Sequence, residues 1–79
     1  MPEEQPDSIL AEELKKLSNI ATDIQMPSKM RTQAITQLAE MGSHESLVVL
    51  LNLAANERLA IDDRDLALKK ARDIIRKAR

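Results

Sequence analysis

The sequence predicts an all-α fold: four antiparallel helices arranged as two stacked helix-turn-helix units, with a simple four-helix bundle as the alternative. Three observations carry this reading. Apolar residues recur at spacings of three and four along most of the chain. The apolar stock is eleven Leu, seven Ile, four Met and two Val, with no Phe, Tyr or Trp, which suits helices better than a sheet of aromatic and β-branched residues. Helix-stopping and helix-starting residues then divide the chain at Pro27, Gly42-Ser43 and Asp62.

The first helix is expected from about Ser8 to Thr22, with Asp7 as its N-cap. Leu10, Leu14, Leu17, Ala21 and Ile24 form its apolar stripe, and Ile20 widens it. Pro27 ends the segment because it disfavours α geometry at the residue before it. The second helix is expected from Ser28 to Met41, facing the core with Met30, Ala34, Ile35, Leu38 and Met41. Gly42 fits the left-handed position that closes many helices. Ser43 caps a third helix from His44 to about Asn56, and the short connection makes helices two and three neighbours. Leu47, Leu51 and Ala54 mark its expected core side. The fourth helix is expected from Asp63 to Lys77, with Asp62 as N-cap and Ile61 stapled to Leu66. Its main stripe is Ala67, Leu68, Ala71, Ile74, Ile75 and Ala78. Residues 1–6 are expected to be a disordered acidic tail, and residues 7–79 one domain.

A shift of 37 residues superimposes the apolar patterns of the two halves: Leu10 on Leu47, Leu14 on Leu51, Ala34 on Ala71 and Met41 on Ala78. Neither half can bury its stripe alone, which is the logic of repeat proteins. Met30, Arg31, Ala34, Ile35, Leu38, Gly42, Leu47, Leu50 and Leu51 follow the pattern of HEAT-like repeats, which the chain resembles. The second unit departs from that pattern, with Leu68 where Arg31 stands and Arg72 where Ile35 stands. The resemblance implies a right-handed stack of two antiparallel helix pairs that binds proteins, with the second helix of each pair lining an inner face. HEAT-like repeats also occur in bilin lyases, so an accessory to such an enzyme is a further reading that the resemblance implies. Tetratricopeptide repeats fit less well because their aromatic positions are missing.

The chain has 79 residues and a net charge of −1, distributed unevenly. Residues 1–26 hold six acids and two bases, whereas residues 63–79 hold seven bases and three acids. This polarity fits steering of a partner or head-to-tail contact, and it fits helix dipoles equally, since acids favour helix starts and bases favour helix ends. The absence of Cys excludes disulfides, thiolate metal sites and Cys nucleophiles. Glu3, Glu4 and Asp7 are unlike a basic signal-peptide start, and the apolar run Leu47 to Ala55 is far below the ~20 residues of a membrane span. The expectation is a soluble cytoplasmic protein.

Catalysis finds little support. His44 is the only His, in the first turn of its helix between Ser43 and Glu45, and helix neighbours at i and i+1 do not face each other. Asp62, Asp63 and Asp65 lack the glycine and distal Glu of a calcium loop and read as a helix start. No catalytic residue, metal or cofactor is expected. Three surfaces are candidates for partners. Lys69, Arg72 and Arg76 form a basic stripe able to neutralise phosphates, but without stacking aromatics nucleic acid is the disfavoured partner. Thr32, Gln33, Thr36 and Gln37 form an uncharged polar face beside Lys69, Lys70 and Asp73, a groove suited to an acidic peptide. Val49 and Leu53 lie opposite the expected core side of helix three; they form an association patch if exposed, or pack under neighbouring elements if that helix is central. The function expected is a small non-catalytic protein-interaction module, with a homodimer as one option and a nucleic-acid-associated protein as the alternative.

Overall fold

The computed structural model describes residues 6–78, and the expected tail lies outside them except for Pro6. Four helices fill the described residues: α1 (Pro6–Thr22), α2 (Ser28–Met41), α3 (His44–Ala55) and α4 (Ile61–Lys77). There are no strands among the described residues. The all-helical, four-helix expectation holds.

Local chemistry explains most boundaries. α1 starts at Pro6, so Asp7 lies inside its first turn and is not the N-cap. α1 ends at Thr22, whose hydroxyl donates back to Ser18 O at 2.9 Å. In the turn that follows, the Asp23 carboxylate accepts the Gln25 N–H at 2.9 Å. Pro27, at φ −58° and ψ 147°, precedes α2, and its carbonyl accepts Arg31 N–H. Gly42 closes α2 at φ 59°. Ser43 caps α3, its hydroxyl accepting Ser46 N–H at 3.1 Å while the Ser46 hydroxyl donates to Ser43 O at 2.9 Å. That second bond satisfies Ser46, which is wholly buried. α4 begins two residues earlier than expected, with Ala60 as N-cap and no side-chain cap bond, so Asp62 is not the cap. Ile61 is 78% exposed and forms no inward staple.

The core holds Leu17 and Ala21 of α1, Ala34, Ile35 and Leu38 of α2, Leu50 and Leu53 of α3, Leu59 of the connection, and Ala67 and Ala71 of α4. Several expected core residues lie outside it. Leu10 and Ile24 are exposed, as are Met30, Leu51, Leu68, Ile75 and Ala78. Leu66, expected off the main stripe, packs against the core instead. α3 is turned relative to its expected orientation because it is apolar on nearly every side, and its neighbours decide which side is buried.

The helices pair as hairpins α1/α2 and α3/α4. α1 also packs on α3, and α2 on both α3 and α4, while α1 makes no contact with α4 among the described residues. The turns inside the two hairpins correspond at an offset of 33 residues, whereas the apolar patterns align at 37. Ala55 ends α3 33 residues after Thr22 ends α1, and Ile61 starts α4 33 residues after Ser28 starts α2. The turns match at the same offset: Asn56 accepts Arg58 N–H at 2.9 Å as Asp23 accepts Gln25 N–H.

Among the described residues, one polar contact joins the hairpins in the interior. Arg31 Nε donates to Asp63 Oδ2 at 2.8 Å, with side-chain exposures of 14% and 4%. Arg31 Nη1 also donates to the Met26 carbonyl, so one guanidinium holds both the α1–α2 turn and the start of α4. Removing one partner of a buried pair leaves the other charged and desolvated. Arg31→Ala is therefore expected to lower unfolding free energy by about 3 kcal/mol, and the double replacement Arg31→Met with Asp63→Leu to recover most of the loss. Urea unfolding followed by circular dichroism measures both; equal stability of Arg31→Ala and wild type refutes the role.

Gly42 provides a separate local test. A Cβ at Gly42 meets nothing closer than Ala39 O at 3.9 Å, so only the left-handed backbone penalises a side chain. Gly42→Ala is expected to cost about 1 kcal/mol, and Gly42→Asn less, in the same unfolding experiment.

Candidate functional site

The structure divides the expected polar groove. Thr36, Lys70 and Asp73 do meet, in a cleft of about 490 Å³ between the C-terminal halves of α2 and α4. Glu40, Ile74 and Lys77 also line it. Thr32, Gln33, Gln37 and Lys69 do not. Thr32 turns its hydroxyl back to Ser28 O at 2.9 Å. Gln37 lines a shallower depression between α1 and α2 with Glu13 and Leu17. Gln33 is exposed. Lys69 lies 3.4 Å from Asp65, an exposed i,i+4 pair of little energetic weight. Within the cleft, Lys70 and Lys77 are balanced by Glu40 and Asp73, so its charged lining does not single out an acidic ligand.

The three aspartates at the start of α4 separate by role. Asp63 is buried on Arg31, Asp65 faces Lys69, and Asp62 is exposed. Among the described residues no three His, Asp or Glu gather as a metal-binding group. His44 is exposed at the start of α3.

Val49 and Leu53 do not form an exposed association patch. Leu53 is 2% exposed within the core, and Val49 is half-buried against it. α3 is central, touching all three other helices, and this covers the side expected to lie opposite the core.

The open apolar surface lies on the other side of the same hairpin. Val48 and Leu51 of α3, with Ile61, Leu68 and Ile75 of α4, are between 41% and 78% exposed. Ile61, Leu68 and Ile75 recur every seven residues, which places them along one line of α4. Ala54, Ile61 and Leu68 line one depression, which brings this line beside α3. Arg72 and Arg76 of the expected basic stripe are also exposed on α4, so the positive charge there borders apolar side chains.

The 33-residue offset explains why this surface is open. The counterpart of Leu68 is Ile35, which is wholly buried. The counterpart of Arg64 is Arg31, which reaches the second hairpin through Asp63. Arg64 Nε instead donates to Ala54 O at 3.0 Å, within its own hairpin. The surface that α1/α2 hides against α3/α4 thus has an uncovered equivalent on α3/α4. A signal for this register was present in the sequence: Asp23 and Asn56 each stand eight residues before an arginine, Arg31 and Arg64.

Leu53 and Leu68 therefore differ sharply in environment. In the dissociated single chain at high dilution, Leu53→Ala is expected to cost about 3 kcal/mol of stability and Leu68→Ala less than about 1 kcal/mol, measured by urea unfolding. Equal costs would contradict the assignment of one to the core and the other to the surface. No helix among the described residues is long and apolar enough to cross a membrane. No family model matches the chain, and no curated protein or solved structure shows significant similarity to it.

Proposed function

We propose that the chain is a non-catalytic protein-binding module of HEAT-like type, and that its docking surface is the outer face of α3 and α4. The observation carrying this reading is the exposed line of Ile61, Leu68 and Ile75 along α4, with Ala54 of α3 beside its first two members and Val48 and Leu51 also exposed on α3. Large apolar side chains gathered on a surface mark association sites more often than scattered ones do. The basic residues beside them fit the same role, since interfaces combine an apolar centre with a charged rim. The chain has no aromatic side chain on which bases could stack, which disfavours the nucleic-acid reading. Support for the HEAT-like description is the packing order. α1 lies on α3 and α2 on α4 without contact between α1 and α4, whereas an up-down bundle brings its first and last helices together.

The test is affinity capture from native lysate with the tagged chain, before and after nuclease treatment. The expected result is one protein, a second copy of the chain included, retained in stoichiometric amount after nuclease, lost with Leu68→Glu and kept with Lys70→Glu. Retention by Leu68→Glu would remove the outer face from consideration. Loss of all captured material on nuclease treatment would transfer the function to Arg72 and Arg76.

A further inference from the structure

We infer that the outer face of α3/α4 binds a second copy of this chain, with α4 lying antiparallel on the α4 of its partner about a two-fold axis at Leu68. This rests on the docking surface proposed above and names its occupant. The argument is self-complementarity in both shape and charge.

In an antiparallel pairing centred on Leu68, positions equally far before and after Leu68 oppose each other. Ile61 lies seven residues before it and Ile75 seven after, so Ile61 of one copy meets Ile75 of the other at both ends of the contact. Asp65 lies three residues before Leu68 and Arg72 four after. At about 1.5 Å of rise per residue, they come level to within about 1.5 Å, twice over by symmetry. Both are exposed. Lys69 stays on the flank, already near Asp65 at 3.4 Å. Val48 and Leu51 extend the apolar surface onto α3, so two copies together supply ten large apolar side chains. Ends of opposite sign make antiparallel pairing favourable and parallel pairing repulsive.

Head-to-tail stacking is disfavoured by the same comparison of hairpins. If the α1/α2 face of another copy took the place that α3/α4 takes on α1/α2, Arg64 would need a carboxylate where Asp63 stands. The residue 33 positions before Asp63 is Met30, which cannot accept that bond. The isologous contact satisfies itself and closes at two copies.

Sedimentation velocity on the full chain across a range of concentrations tests the inference. The expected result is a species of twice the 8.9 kDa chain mass that dissociates on dilution. Asp65→Arg and Arg72→Asp, each alone, are expected to weaken the dimer about tenfold or more, and the double reversal to restore it. Leu68→Glu is expected to give a monomer with unchanged helical circular dichroism. A wild-type chain that stays monomeric at all concentrations overturns the inference, as does a dimer unaffected by either charge reversal. A monomeric wild type from which Leu68→Glu still removes a captured heterologous protein overturns self-pairing alone and leaves the docking face standing. Retention of that protein by Leu68→Glu overturns both.

Discussion

A guanidinium from one hairpin and a carboxylate from the other meet where little water reaches, and the placement of the two hairpins depends on that meeting. Arg31 sits in the first turns of α2, where a positive charge opposes the helix dipole and no acid is present to offset it locally. Its position is explained by Asp63, whose own place in the first turn of α4 is favoured by the dipole there. The apolar contacts around the pair are Leu, Ile and Ala, which grip without direction and tolerate sliding. The ion pair is directional, and with the Met26 carbonyl it fixes the axial position of α4 relative to α2. α3 packs on both α2 and α4 and buries Ser46, Leu50 and Leu53.

Where one residue type had one physical meaning, the sequence was legible. Pro27 and Gly42 bracket α2 at both ends, and Ser43 marks the start of α3. Where a residue had two uses, the reading failed. Asp62 and Asp63 resemble caps, but Asp63 is committed to a side chain 32 residues away, which no local pattern reveals. α3 is apolar on nearly all sides, so its periodicity could not distinguish the buried Leu53 from the exposed Leu51. The repeat offset failed for a related reason. Matching leucines to leucines favoured 37, whereas the turns at Asp23 and Asn56 place the helices 33 apart. Of the candidate groove, Thr36, Lys70 and Asp73 share one cleft. Glu40 of α2 joins them there and helps neutralise their surroundings, which no local sequence pattern reveals.

The functional consequence is that charge and apolar character are distributed differently from their distribution along the chain. The excess of bases near the C-terminus suggests a positive surface, yet in the cleft beside α2 it is balanced by acids. On the outer side of α4 it borders leucine and isoleucine.

The lack of contact between α1 and α4 also bears on how the molecule comes apart. In a ring of helices, losing one breaks contacts with neighbours on both sides of the ring, and the whole tends to open together. Here α1 is held only by α2 and α3, and its N-terminal portion carries Ile9 and Leu10 in solvent. Detaching it leaves the Arg31–Asp63 contact and the α2/α3/α4 assembly in place. The packing thus lets α1 open without separating α2, α3 and α4 from one another, so local opening need not be global unfolding.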